Sequence, residues 1–425
     1  MSTPTRFEGD RNLDRKESEL IALTETITSL HAQQTEEGVL RVFKYTLMGQ
    51  LGVKAFTLTR LTDGEKETLV SHGVDRKPTQ EPLMEPLYID SGFDDPLLEK
   101  GFKGQITILE RFETDELQPT DIRFIKTLTQ LCLQSIEKLR LQRVEVEQQT
   151  IQKELTIART IQDSLLPNRE ARYEPWDVAW AHHSAKEVGG DLIDIVQDET
   201  NDRLVVMIAD GAGKGIPGSL LMSSVQALFQ YLAAKGSPVG DIAQAINQQL
   251  LNSTPDDTFV TASFVEVGMP AAKNGGFQIQ YVNAGHPSGY LLKRDKTSII
   301  RSRDTNAHLM MLPSTTPLLG VSKWSALVIE EATHRLMMSS KDILCWLTDG
   351  VLDQDVERST ELQEKHVGEQ RCGEWLLEAI ELCPPHATSQ EYLHRFIDLF
   401  ESRVTNAQAD DQTIFMLKSG YSTSS

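Results

Sequence analysis

Apolar runs that stop at an aspartate constrain this chain more than any other feature. The run RLVVMIAD, Arg203 to Asp210, has no polar alternation and reads as a strand covered on both faces. The same grammar recurs in EVGGD ending at Asp191, in ILCWLTDG around Asp349, and in ADDQT at Asp410 and Asp411, just before TIFMLK. A carboxylate at the end of a buried strand is costly unless something positive neutralises it. Several together point to a divalent cation held by oxygen ligands.

Around these acids, VAWAHH, FVTASFVEV and GFQIQYVNAGH read as further strands. IPGSLLMSSVQALFQYLAA, DIAQAINQQLL, EWLLEAIEL and SQEYLHRFIDLFESRV carry helical spacing. Strands clustered with interspersed helices give a mixed α/β or α+β class built in layers around a sheet core. With 425 residues the chain is too long for one core and divides into two or three domains.

The N-terminal part is organised differently. A polar tail, residues 1–19, precedes two helices read from Leu20, Ile21, Leu23, Ile27 and Leu30, and from Val39, Leu40, Val42, Phe43, Leu47 and Leu51. Val53 to Leu61 alternates as a strand, Thr62 to Gly64 is a hairpin turn, and ETLVSHGV is the return. The Pro- and acid-rich stretch from Arg76 to Asp95 is expected to be loop, and Gly104 to Phe112 is again strand. Thr120 or Asp121 then caps a helix carrying Phe124, Ile125, Leu128, Leu131, Cys132, Ile136 and Leu139.

That helix is expected to run on. Cys132, Leu139 and Val146 are heptad-spaced, the polar stretch Glu147 to Thr150 interrupts, and Ile151, Leu155, Ala158, Ile161 and Leu165 resume before Pro167 and Asn168 end the pattern. The spacing suits a parallel dimeric coil, with a single amphipathic helix as the alternative. Order and architecture over residues 20–142 resemble a GAF domain, which implies a sensor or dimerisation module with no ligand legible; residues 143–168 are then a helical linker.

Composition excludes several classes. A formal charge of −20 is opposite to what phosphate-backbone binding needs, so no nucleic-acid partner is expected. No run approaches the ~18 apolar residues of a spanning helix, and MSTPTRFEGDRNLDRK has no apolar core of a leader, so a cytoplasmic location is expected. Cys132, Cys345, Cys372 and Cys383 form no CxxC pair and read as buried free thiols. GAGKG lacks the spacing of a phosphate-binding P-loop.

Seven segments, in order, carry a more specific resemblance: ELTIARTIQDSLLP, AKEVGGDLID, ADGAGKGIPGSLLM, NAGHP, LLG, LTDGVLD and DDQT. This series resembles bacterial PPM-type serine/threonine phosphatases of the SpoIIE and RsbU kind, over about residues 152 to 420, and places a phosphatase domain at 169–420. The resemblance implies an αββα sandwich with a two-metal centre, Mn²⁺ or Mg²⁺, at one end. It implies Asp191 and Asp210 as central ligands, the Gly211 carbonyl between the ions, and Asp349 and Asp410 completing the set, with Asp411 as the alternative should the loop register shift. Hard cations keep several waters, so few carboxylates suffice. Such a pair readies a water for in-line attack on phosphorus and offsets charge building on the phosphoryl oxygens.

Lys214 could attract the phosphorylated substrate or simply be solvated, and His286 could orient substrate, donate a proton or be a turn histidine bonded to backbone. Asp194 and Glu187 are read as flanking or surface charge. Where relatives commonly read GDVSGKG this chain has ADGAGKG, which keeps the acid but loses a hydroxyl at Ala212. The helix after Asp210, SLLMSSVQALFQYL, is a candidate switch. The resemblance further implies a phosphoprotein substrate, a phosphorylated STAS-type anti-sigma-factor antagonist, and a homodimer joined through linker and sensor. The alternative of another class is a catalytically silent, GAF-regulated scaffold.

Overall fold

A computed structural model describes residues 21, 24–62, 65–74, 85–90, 103–112, 117–213, 215–255, 258–269, 276–293, 309–354, 365–384, 386–404 and 408–419. The polar tail 1–19, the turn residues Asp63 and Gly64, most of the expected loop between Arg76 and Asp95, and Lys214 lie outside the described residues. Contacts divide the chain into two units, Met1–Gln152 and Lys153–Ser425.

The first unit opens with a helical stretch at 24–31 and α1, Glu36–Leu51. Thr35 caps α1 by accepting the Gly38 amide, and Gly52, at φ 62°, ends it in the left-handed conformation that glycine adopts without strain. Strands β1 (Val53–Thr62), β2 (Glu65–His72), β3 (Leu87–Asp90) and β4 (Lys103–Arg111) form one antiparallel sheet in the order β2-β1-β4-β3. β3 departs from the loop expected across Arg76 to Asp95: Pro and acids surround LYID, yet it pairs with β4 and buries Ile89. Helix α2, Pro119–Leu165, covers the sheet with Ile125, Leu128, Cys132, Leu133 and Ile136, all fully buried with Phe43, Leu47, Phe56 and Leu58.

In the second unit, ten strands form two five-stranded sheets. Strands β5 (Trp176–His183), β10 (Gly289–Leu292), β11 (Leu309–Leu312), β13 (Ile343–Leu347) and β14 (Gln412–Ser419) order as β11-β10-β13-β14-β5. Strands β6 (Asp191–Asp198), β7 (Arg203–Gly211), β8 (Val260–Gly268), β9 (Phe277–Ala284) and β12 (His334–Met338) order as β12-β9-β8-β7-β6.

The strands alternate between two cores. Leu204, Val206 and Ile208 of β7 meet Trp346, Leu344 and Phe415 of the other sheet, so one core lies between the sheets. Val205, Met207 and Ala209 face α3 (Ile216–Ala234) and α4 (Val239–Ser253) on the outside. Cys345, Leu347, Ile414 and Met416 pack in the same manner under α7 (Lys365–Leu382) and α8 (Ser389–Arg403). Short helices α5 (Ala326–Ala332) and α6 (Asp349–Leu352) complete the unit. The result is the αββα sandwich expected from the sequence, and double coverage explains why β7 reads as an unbroken apolar run.

Cys132, Cys345 and Cys372 are buried thiols, and Cys383 is only half-buried. Among the described residues no helix is long and apolar enough to cross a membrane.

Candidate metal centre

One end of the sandwich collects the acids. Asp191 begins β6 instead of ending a strand, a correction to the sequence reading, and the antiparallel register places it directly opposite Asp210 near the end of β7. In the other sheet β13 ends at Leu347, opposite Ile414 of β14, so Thr348 and Asp349 leave one strand where Asp410 and Asp411 enter the next. Two hydroxyls join the sheets: Thr348 Oγ1 and Thr413 Oγ1 donate to Asp191 Oδ2 at 2.8 and 2.7 Å. The Thr413 amide in turn donates to Thr348 Oγ1 at 2.8 Å.

Asp191 is 2% exposed. Burial, then the Asp210 charge, push its carboxyl well above the usual range, against the two threonine hydroxyls that favour the anion. Among the described residues no Lys, Arg or His forms an ion pair with Asp191.

The backbone between these acids is built close. A Cβ on Gly190 would stand 3.0 Å from the Gly211 carbonyl oxygen and 3.2 Å from Asp210 Oδ1, so a cradle of oxygens surrounds a position that only glycine leaves open. Gly213 and Gly215, at φ 107° and 84°, turn the chain into α3 through conformations that L side chains resist.

The donor set is all oxygen, and it fits a hard divalent cation: two carboxylates in register, one of them fully buried, with a carbonyl beside them. Among the described residues no three His, Cys, Asp or Glu side chains form a ready-made metal cluster.

The remaining candidates take distinct places. Asp349 is the first residue of α6, directly after the Thr348 that holds Asp191. Asp410 is half-buried and its Oδ1 accepts the Asp411 amide at 3.1 Å. Asp411 is the buried member of the pair: one oxygen accepts the Ala185 amide at 2.7 Å and the other the Gly190 amide at 2.6 Å, which ties β14 to the EVGGD loop. His286 is 2% exposed in the turn after β9, its amide bonded to Asn283 Oδ1 and its Nδ1 2.9 Å from Thr261 Oγ1. Thr261 is the register partner of Asp210 on β8. Asp194 is buried instead of lying on the surface, and burial raises its carboxyl to about 6.

Several participants were missed in the sequence. Thr348 and Thr413 sit inside LTDG and DDQT, where a hydroxyl flanking each acid was the available signal. Gln162 near the end of α2 both donates to the Gly189 carbonyl at 2.8 Å and accepts its amide at 3.1 Å, and Gln226 of α3 donates to the Leu165 carbonyl at 2.6 Å. Gln162 lies inside ELTIARTIQDSLLP and Gln226 inside SLLMSSVQALFQYL, so the segments were marked but not these side chains within them.

The family described as Stage II sporulation protein E (SpoIIE) matches residues 200–419, more than half of the chain. The phosphoserine phosphatase RsbU of Bacillus subtilis (strain 168) is 28% identical over 151 residues, 35% of this chain and 43% of RsbU. The phosphoserine phosphatase RsbP of the same organism is 24% identical over 209 residues, 47% of this chain and 45% of RsbP. The matched stretches thus span less than half the length of either relative. Among solved structures, the SiaA-PP2C domain of Pseudomonas aeruginosa aligns at a TM-score of 0.47 and 20% identity, covering 64% of this chain and 98% of that domain. On the extent of the family match, this chain belongs to the SpoIIE family.

Proposed function

We propose that the second unit is a metal-dependent serine/threonine protein phosphatase. The observation that carries this reading is the in-register pair Asp191 and Asp210, with the Gly211 carbonyl beside it, at the end of the sandwich where Asp349 and Asp410 also lie. Asp191, Asp210 and the Gly211 carbonyl would hold Mn²⁺ or Mg²⁺, two ions in all, with Asp349 and Asp410 completing the set. Bound there, the cations supply Lewis acidity and an activated water for attack on a phosphomonoester.

The chain's own residues hold and exclude. Thr348 and Thr413 fix one oxygen of Asp191, and Asp411 pins the Gly190 amide, so the carboxylates are arranged before substrate arrives. Gly189, Gly190 and Gly211 keep side chains out of the cradle. Lys214 and His286 are proposed at the substrate side.

The substrate we propose is a phosphorylated STAS-type protein in a partner-switching pathway. Support comes from the relatives, which are named phosphoserine phosphatases. Residues 20–142 are proposed to be a GAF-like sensor followed by the linker 143–168, with a homodimer formed along α2; exposed Val146, Ile151, Ile157 and Ile161 support the dimer. The two-point grip of Gln162 on Gly189, and the single bond from Gln226 to the Leu165 carbonyl, support control of the cradle by the linker and α3.

Phosphate release from a phosphoserine protein with Mn²⁺ tests the proposal. Wild type releases phosphate and Asp210→Asn does not, while circular dichroism stays the same. Equal activity in Asp210→Asn would remove the site.

A further inference from the structure

A line of hydroxyls and one imidazole runs from Asp191 to the surface. Thr413 Oγ1, which lies 2.7 Å from Asp191 Oδ2, is also 3.0 Å from His182 Nδ1, and His182 Nε2 is 3.1 Å from Ser184 Oγ. His182 and Thr413 are register partners on β5 and β14, so the sheet itself sets this approach. His182 is 6% exposed and Thr413 is fully buried.

Proton counting gives the line a direction. A metal-binding Asp191 is ionised and only accepts, so the single hydroxyl proton of Thr413 goes to Oδ2. His182 must then donate from Nδ1, and its Nε2 is left to accept from Ser184. A neutral imidazole is the species with one donor and one acceptor. Burial holds the His182 pKa at about 4, with His183 and Arg169 acting in the same sense and Asp411 and Asp163 against it. His182 and Ser184 line an open cleft of about 790 Å³ with Arg159, Asp163, Arg169 and Trp180, which gives solvent access to the outer end.

We propose that His182 is a positioning residue of the metal centre: protonated on Nδ1, it locks the Thr413 hydroxyl onto Asp191 Oδ2 and leaves Oδ1 as the oxygen available to a cation. The inference rests on the reading of Asp191 as a metal ligand. Groups that orient a ligand in this way are worth about 10- to 100-fold in metal affinity.

The test is Mn²⁺ binding by calorimetry to the full chain stripped with chelator. His182→Leu removes the donor and weakens Mn²⁺ binding about 10-fold or more, and His182→Asn, whose amide N–H stands where Nδ1–H stood, recovers to within roughly threefold of wild type. Thr413→Val with His182→Leu is no weaker than Thr413→Val alone, because both break one line. Should the leucine variant not fold, His182→Gln, whose amide reaches the Nε2 position, replaces it as the weak binder against His182→Asn. Wild-type affinity in the donor-less variant, no rescue by asparagine, or additive losses would overturn the assignment. Asp191→Asn separates the two ideas: if it loses Mn²⁺ while His182→Leu does not, only the His182 inference falls. If Asp191→Asn binds like wild type, the metal-site reading falls and takes the inference with it.

Discussion

Truncating Asp411 to alanine measures how tightly the EVGGD loop is held to β14. The carboxylate is 8% exposed and accepts two amides, from Ala185 at 2.7 Å and from Gly190 at 2.6 Å. Asp411→Ala leaves both donors without their acceptor in a confined space, and a buried orphaned donor costs about 1–3 kcal/mol. Two of them sum to about 4 kcal/mol. Part is offset, because the Asp411 charge also disfavours the ionised form of Asp191. A net loss of about 3 kcal/mol remains, which for a unit of this size lowers the melting temperature by about 6–12 °C. Asp411→Asn keeps one acceptor oxygen but turns an NH₂ toward the second amide, and should lose about half as much. Differential scanning calorimetry of the metal-free full chain, following the transition of the second unit, reads both variants. A fall under about 2 °C in Asp411→Ala, or an asparagine variant no better than the alanine one, would refute the reasoning.

Other perturbations follow from the same geometry. A Cβ on Gly189 would stand 2.5 Å from Asp411 Oδ2, so Gly189→Ala should destabilise alone and add less than its full cost on Asp411→Ala, measured as a double-mutant cycle by calorimetry. Asp191 has a folded-state carboxyl raised above its ordinary 3.8, so in metal-free protein its contribution is intact below that value and is lost as pH rises. Asp191→Asn should therefore gain in melting temperature over wild type from pH 4.5 to pH 8; a difference that is flat or shrinks with pH contradicts this. Gln162→Ala breaks both bonds to Gly189 and should cost about 1–2 kcal/mol of stability, with a weaker Mn²⁺ complex by calorimetry. Unchanged affinity would show that the linker end does not hold the cradle.

The layers of the second unit were legible because two covered faces leave long apolar runs, as in Arg203 to Asp210. Strands β10 and β11 were not, since GYLL and LMML are four residues each and carry no period that separates strand from helix. β12 buries little of HRLMM beyond Met338, and β6 begins and ends in aspartate, so neither shows the run that marks a strand. The aspartates of the site were legible as charges in costly places. Their supports were not: Thr413 and His182 are 231 residues apart, and only the pairing of β14 with β5 brings them together. Gln162 falls in the marked segment ELTIARTIQDSLLP, but nothing there singles out its side chain, whose bonds to Gly189 exist only once that loop is packed against α2.

The proposed phosphatase chemistry requires Asp191 and Asp210 to share a cation. Anomalous diffraction at the manganese edge from crystals grown with Mn²⁺ locates the ion without reference to activity. The prediction is a peak bridging the Asp191 and Asp210 carboxylates beside the Gly211 carbonyl, at about 2.0–2.3 Å from its oxygens, absent in Asp191→Asn. A peak held by other residues, with these two aspartates bare, would contradict it.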